Sequence, residues 1–437
     1  MGNVLSFKCP CCVAPLEFNG DQGQMTCEYC GSVFTMEQVK QAQEADSLAG
    51  DASEMTWTSN EPEMIQDEDG KVTGYECPSC SGEIIADEKT AATECPYCGN
   101  QTIIPKSFEG MYKPDGMIPF AIDKSHAEEK LREFYKGKKL LPSSFTDNNH
   151  IKAISGVYVP FWLASAKASG TVVFDAVKKK TENGPNGTVE IDDHYMVTRA
   201  GTLDFSKVPA DASKEMDDAL MDSLEPYDMD KIVPYDAAYF SGYMADRYDV
   251  SAEEVRERVN KRIRSTFESE MRDTVKGYNS VSKKNDNVTV KDGKTEYAFL
   301  PVWMLSTKYN DEVYTFAMNG QTGKISGSLP IDNGKYWKQV AITAAIVFAI
   351  MAALFYFAIG GRGFNMPRDL IISLVIGVIV GFIRGAILKG AMSNVHVKTE
   401  AGRYAVPNSL KLTTKTDTFM YTKREVRPNT QQNAAKK

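Results

Sequence analysis

Two apolar runs near the C-terminus dominate the hydrophobic pattern of the chain. Residues 340–359 (VAITAAIVFAIMAALFYFAI) hold no charge over 20 positions, long enough to cross a hydrocarbon core of about 30 Å. Residues 370–388 (LIISLVIGVIVGFIRGAIL) follow, with one charge, Arg384, near their end, where a guanidinium can reach the headgroups. Ten residues separate the two runs. The pattern therefore predicts a transmembrane helical hairpin over 338–390 with both flanks on one side. A buried pair of soluble helices is the rival, and two uncharged runs of this length side by side weigh against it. Gly377, Gly381 and Gly385 recur at every fourth position of the second run and form one stripe along a helix. Missing side chains let backbones approach closely, and Ala341, Ala345, Ala349, Ala352 and Ala353 offer a matching face on the first run. A second copy of the chain could take the same stripe, so a homo-oligomer stays open.

The clearest amphipathic helix opens at Ser251. Ser251-Ala252-Glu253-Glu254 is a capping box, in which serine and the glutamate three residues on satisfy each other's backbone N–H groups. Val255, Val259, Ile263, Phe267, Met271 and Val275 then recur every four residues with charges between them, the spacing of one helix face. Ser125-His126-Ala127-Glu128 repeats the box earlier in the chain. Each box precedes an aromatic, β-branched strand around a proline, Tyr158-Val159-Pro160-Phe161-Trp162 and Phe299-Leu300-Pro301-Val302-Trp303. Strand-rich segments follow at 171–177 and 312–317, the second closing on the turn Asn319-Gly320-Gln321-Thr322-Gly323. This echo predicts a duplicated α+β domain over 110–336. Its two related units, 110–205 and 206–336, would each pack a helix on an antiparallel sheet. The spacings from serine to proline are 35 and 50 residues, so the halves match only in part.

The first 110 residues have a different character, with 5 Lys, no Arg and 19 Asp/Glu. Cys9, Cys12, Cys27 and Cys30 read C-x2-C-x14-C-x2-C, and Cys77, Cys80, Cys95 and Cys98 repeat that spacing. Two such knuckles joined by a hairpin supply four thiolates for a tetrahedral zinc ion, and the knuckle turns offer backbone N–H groups to the sulfurs. Glycine follows the last cysteine of each quartet (Gly31, Gly99), where such a turn often needs positive φ. Disulfides or a thioredoxin-type motif are the alternatives, and equal gaps without a βαβ pattern argue against both. The expectation is two small β-rich zinc ribbons, 1–37 and 71–106, with two zinc ions as cofactors. Cys11 remains as a free thiol. Between the ribbons, the acidic stretch 38–70 reads as a linker with one short helix at its start. Trp57 is its one large apolar anchor, either a docking residue or a contact back onto a ribbon.

From Lys389 onward there are ten Lys/Arg and three Asp/Glu, and Lys335 and Lys338 precede the first apolar run. The positive-inside rule then predicts a multi-pass cell-membrane protein with two spans and both termini cytoplasmic. Paired thiolates suit that reducing compartment. The opening MGNVLSFKCP holds no apolar stretch, so no signal peptide is expected. The basic cytosolic tail, 391–437, carries Lys411, Lys415, Lys423, Arg424 and Arg427 interleaved with Phe419, Met420 and Tyr421. It would lie against the inner leaflet, stay solvated, or pair back onto the domain as a strand.

Catalytic patterns are weak. His126, His150, His194 and His396 show no metal spacing and no neighbouring nucleophile. Residues 320–326 (GQTGKIS) miss the glycine spacing of a phosphate loop and lack Ser/Thr directly after the lysine, so successive N–H groups could not wrap a phosphate. Asp192-Asp193-His194 and Asp217-Asp218 read as surface acids. No enzyme is expected.

Several segments together carry a family resemblance. "YECPSCSGEIIADEKTAATECPYCGNQTIIP", "PFAIDKSHAEEKLREFYKGKKLLP", "GVYVPFWLASAK", "EPYDMDKIVPYDAAYFSGYMADRYDV" and "LPVWMLSTKYNDEVYTFAMNGQTGKISGSLP" stand ahead of a late apolar hairpin. The chain resembles, from about 71 to 390, the bacterial membrane proteins that carry transcription-factor-IIB-type zinc ribbons. The resemblance implies partners of the phage-shock-protein-A or SPFH (flotillin-like) kind, and a part in placing envelope-stress proteins at the membrane. The knuckle Cys9-Pro10-Cys11-Cys12, followed by Val13 where glycine is usual, departs from the pattern.

Two functions compete. A membrane-anchored adaptor would bind protein partners at the cytoplasmic face through its ribbons and α+β domain. A nucleic-acid-binding protein, a transcription or replication accessory, is the alternative that zinc ribbons suggest. Duplex binding is driven by Lys and Arg displacing counterions from phosphates. The ribbon-bearing third has five lysines against nineteen acids, and each four-thiolate zinc site adds about two negative charges more. The expected partners are therefore the lipid bilayer and proteins, with no nucleic acid.

Overall fold

The structure, a computed structural model, describes residues 7–10, 12, 14–20, 23–47, 57–59, 64–65, 72–87, 95–100, 104–106, 111–146, 153–184, 187–310, 312–358 and 366–427. Cys11, His150 and much of the acidic stretch lie outside them.

A first three-stranded sheet, β1 (Glu17–Asn19), β2 (Gln24–Thr26) and β3 (Val33–Thr35), leads into helix α1 (Met36–Ser47). Short strands follow: β4 (Trp57–Ser59), β5 (Met64–Ile65), β6 (Val72–Glu76), β7 (Glu83–Asp87), β8 (Ile104–Lys106), β9 (Met111–Tyr112) and β10 (Gly116–Met117). After helix α2 (Lys124–Tyr135) come two very long strands, β11 (Ser155–Gly184) and β12 (Gly187–Asp211). Helix α3 (Asp218–Leu224), β13 (Met244–Asp246) and helix α4 (Ala252–Asp273) precede β14 (Ser280–Asp286), β15 (Thr289–Tyr309), β16 (Glu312–Asn319) and β17 (Ile325–Gly327). Helices α5 (Asn333–Ala358) and α6 (Met366–Gly390) are the apolar pair, and β18 (Lys411–Arg427) closes the described chain.

One mixed sheet of 13 strands unites most of these pieces, with β11 at its centre. β15 runs antiparallel to the first half of β11, from Ser155↔Met304 to Ser169↔Thr289, and β14 takes over along Val172–Val177. On the other flank β12 pairs with β11 from Phe161↔Asp211 to Gly184↔Gly187. The alternating apolar positions of β11 and β12 face α4, whose Val255, Val259, Ile263, Phe267 and Met271 are all buried against them. The Ser251–Glu254 capping box forms as expected, the glutamate accepting from the Ser251 N–H at 2.7 Å. The first box does not. Helix α2 is capped by Asp123, whose carboxylate accepts from the His126 N–H at 2.9 Å and from the Ser125 hydroxyl at 2.7 Å. A carboxylate two residues upstream is the better acceptor at the positive end of the helix.

The two proline-centred motifs face each other across one ladder: Tyr158↔Pro301, Val159↔Leu300 and Pro160↔Phe299. The two prolines play matching parts, since the Ala212 N–H donates to the Pro160 carbonyl at 2.9 Å and the Gly320 N–H to the Pro301 carbonyl at 2.8 Å. The echo is thus a pair of neighbours in one sheet. The boundary expected at 205/206 falls inside β12, so no division separates 110–205 from 206–336 there.

The linker expected over 38–70 is also more ordered at its described parts. Helix α1 covers its start, and β4 adds to β15 in parallel, with Trp57 opposite Gly293. The Trp57 ring lies over that glycine, where an added Cβ would come within 2.3 Å of it. Of the two roles open to Trp57, it docks on the sheet and not on a ribbon. The tail pairs back as a strand: β18 runs antiparallel along β12 from Thr202↔Lys411 to Thr188↔Arg427. Met420 is buried beside the first ribbon and Tyr421 stacks on His194 at 4.4 Å. Neither is available as a lipid-facing residue.

Helices α5 and α6 are long and apolar enough to cross a membrane. Ile342, Ile346, Ile350, Leu354, Ile371, Val375 and Ile379 are exposed on their outer faces. The glycine stripe faces inward. A Cβ on Gly377 would lie 2.7 Å from the Ala344 carbonyl oxygen, one on Gly381 2.9 Å from the Val340 oxygen, and one on Gly385 2.8 Å from a Val340 methyl. The foot of the hairpin is fastened to the sheet. The Leu329 N–H donates to the Met392 carbonyl at 2.8 Å, and Asn394 accepts from the Gly327 N–H and donates to the Ile325 carbonyl, both at 2.9 Å.

Candidate metal centres

Three of the four knuckles are tight turns in which an N–H points back at the carbonyl of the first cysteine. The Gly31 N–H donates to the Cys27 carbonyl at 2.8 Å, Ser81 to Cys77 at 2.8 Å and Gly99 to Cys95 at 2.9 Å. Gly31 and Gly99 take φ of +71°, as the sequence suggests, and Ser81 holds the equivalent left-handed place at +61°. Serine is tolerated there at some strain, and its neighbour must be small. A Cβ on Gly82 would lie 2.5 Å from the Tyr97 ring.

These turns bring the four sulfurs of each quartet within 4.8 Å of one another. Across the knuckles, Cys9–Cys30 and Cys12–Cys27 stand 3.6 and 3.5 Å apart, and Cys77–Cys98 and Cys80–Cys95 3.6 and 3.7 Å. A disulfide needs about 2.05 Å. A tetrahedron with Zn–S bonds of about 2.3 Å has edges of about 3.8 Å, which the observed separations approach. The donor set and its spacing therefore fit a zinc ion in each quartet.

The surroundings of the sulfurs are uneven. The Ser32 hydroxyl beside Cys30 (3.3 Å) draws its thiol down to about 6. Burial pushes Cys80 up to about 12 and Cys95 well above the usual thiol value. Four thiolates this close need a divalent cation to coexist near neutral pH. The Asn100 amide, 3.7 Å from the Cys77 sulfur, is a neighbouring donor that cysteine spacing does not reveal.

The two quartets are built into the fold in different ways. Strand β7 of the second pairs with β13, and so joins the large sheet. Cys77, Cys95 and Tyr97 pack in one cluster with Val157, Phe161 and Leu300. Arg247 and Glu83 pair at 2.9 Å, and the Ser306 hydroxyl donates to the Pro96 carbonyl at 2.7 Å. The first quartet sits further along the β11–β12 hairpin. Its Cys9, Cys27 and Phe34 cluster with Val173, Met196 and Met420. The Gln38 amide donates to the Phe419 carbonyl at 2.8 Å, and the Thr418 hydroxyl to Gln41 at 3.2 Å.

Over 333 residues the chain is 33% identical to the uncharacterized protein YdjG of Bacillus subtilis (strain 168), covering 76% of this chain and 92% of that protein. The chain belongs to the YdjG family. No family model matches the sequence, and no solved structure matches the fold.

The remaining expectations resolve into structure. Asp192 pairs with Lys179 directly across the β11–β12 hairpin, and Asp193 with Lys180 on the diagonal. Asp217 caps α3, and Asp218 pairs with Arg258. In the 320–326 loop the Asn319 carboxamide accepts from the N–H groups of Gln321 and Thr322, both at 2.9 Å, which makes it a strand-ending turn. A feature that periodicity missed is Arg262. Its guanidinium is buried within the apolar face of α4 and bonds the Glu225 carboxylate at 2.7 Å and the Pro209 carbonyl at 2.9 Å.

Proposed function

We propose that this protein is a membrane-anchored adaptor that binds protein partners through its two zinc ribbons. One observation carries the reading: both cysteine quartets rest on the same sheet that holds the foot of the apolar hairpin. Such a frame transmits the position of the membrane to the ribbons. Entry and exit of the hairpin at one end of that sheet support placing ribbons, sheet and tail on one side of the membrane, and the reducing cytoplasm suits eight free thiols. The role is binding and not catalysis. The acidic character of the first 110 residues favours partners with basic surfaces over nucleic acid. Proteins of the phage-shock-protein-A and SPFH kind, implied by resemblance, are the first to test.

Crosslinking in intact membranes followed by purification of the full chain tests this. Wild type should capture a reproducible protein set that Cys27→Ser loses while remaining in the membrane fraction. An identical set from both, or capture of nucleic acid alone, would overturn the adaptor reading.

A further inference from the structure

The foot of the hairpin carries four lysines whose charge the fold leaves unmatched. Lys335 and Lys338 lie in the first turns of α5, Lys389 in the last turn of α6, and Lys138 just beyond α2. Among the described residues none of the four forms an ion pair with a carboxylate. Lys335 donates to the Leu141 carbonyl at 2.6 Å, and Lys138 to the Ala391 carbonyl. These bonds hold two ammonium groups at the helix ends without neutralising them. Two carboxylates of this region are already engaged: Asp332 accepts from the Lys335 N–H at 3.0 Å, and Glu312 from the Tyr314 hydroxyl at 2.7 Å.

A cavity of about 430 Å³ opens at this level, lined by Tyr314, Asn333, Tyr336, Trp337 and Lys389, with Leu329 behind them. Trp337 is 57% exposed and packs edge-on against Phe382, 5.9 Å between ring centres. The cavity thus runs on into the outer apolar face of α6. Aromatic rings with one polar edge favour the boundary between headgroups and hydrocarbon, and lysines at that depth attract anionic lipid.

We infer that this cavity is a binding site for the headgroup of an anionic phospholipid. Lys389 takes the phosphate; Asn333 and the Tyr336 hydroxyl take further oxygens; the acyl chains lie along Trp337 and Phe382. The inference rests on the membrane reading of the two helices.

The test uses the full chain purified from membranes. It is first floated with phosphatidylcholine vesicles, then exposed to equal amounts of phosphatidylglycerol and phosphatidylcholine in detergent and weighed intact by native mass spectrometry. Wild type should float and retain phosphatidylglycerol in preference. Lys389→Gln should lower that retention about fivefold, the worth of one lysine at an anionic surface, with an unchanged melting temperature. Lys423→Gln, on β18, should retain lipid as wild type does. Failure to float with neutral vesicles would sink the membrane reading and this site with it. Flotation with equal retention of the two lipids, or a Lys389→Gln chain that retains lipid like wild type, would overturn this site alone. Displacement of the lipid by millimolar glycerol phosphate would overturn it too, by making the cavity a site for soluble anions.

Discussion

The Ser306 hydroxyl, buried near the C-terminal end of β15, donates to the carbonyl of Pro96 inside the last cysteine knuckle at 2.7 Å. The Thr315 hydroxyl lies 3.0 Å from the Ser306 hydroxyl and hydrogen-bonds with it. The second metal centre is thereby tied to the strand that pairs along the centre of the sheet. Ser306→Ala should cost about 1–2 kcal/mol, the penalty for orphaning a buried carbonyl, and should speed zinc release from the second quartet only. Calorimetry with a chelator-release assay reads both; equal release from both quartets would contradict the link.

Metal content follows from the sulfur geometry. The full chain should carry two zinc ions, and Cys27→Ser and Cys77→Ser one each. Their effects on stability should differ. Cys77 packs with Val157, Phe161 and Leu300, so its loss should lower the main unfolding transition. Cys27 lies in the smaller cluster around Met420, so its loss should expose α1 to hydrogen exchange and leave that transition nearly in place. Elemental analysis and exchange mass spectrometry together decide this.

Gly381→Ile tests the hairpin. Any side chain there meets the Val340 carbonyl, 2.9 Å from where a Cβ would stand, and overpacking of this kind costs about 1–3 kcal/mol. The variant should still resist carbonate extraction while melting earlier in detergent. An unchanged melting curve would show that the close approach contributes nothing.

The Glu225 carboxyl is pushed up to about 7 by burial, which the Arg262 guanidinium only partly offsets. Its native form therefore holds a proton that the unfolded chain has already released above about 4.5. Stability contributed by this group is full below that pH and falls as pH rises towards 7, by on the order of 3 kcal/mol. Glu225→Gln should flatten the fall between pH 5 and 7 by up to one proton's worth. Denaturant titrations across that range check the slope; an unaltered slope would place the proton elsewhere.

What the sequence disclosed was mostly local. Zinc geometry is written in C-x2-C spacing because one ion gathers neighbouring residues, and helix α4 is legible because one face meets the core every four residues. Pairings between distant segments left no such trace. β18 reaches β12 across more than two hundred residues, and its alternation of Lys and Thr looks equally like a solvated tail. Strand β13, Met244–Asp246, is too short to show a period, yet it draws the second ribbon into the sheet. Asp123 beat Ser125 as a cap because two candidate acceptors stood two residues apart. The echo around Pro160 and Pro301 was visible, but only the ladder reveals that the two copies face each other.

The length of β11 has a consequence for reach. A 33-residue coil over 38–70 would let its ends wander, with a root-mean-square separation of about 32 Å. Docking of the first ribbon at Val173, 18 residues along β11 from the Ser155–Met304 rung, replaces that spread with a strut of up to about 60 Å. A partner held by the first ribbon would sit at one set distance from the hairpin's foot, many screening lengths from its lysines. The two ribbons would then act as the marked ends of a gauge, and a partner able to grip both would have to match its span.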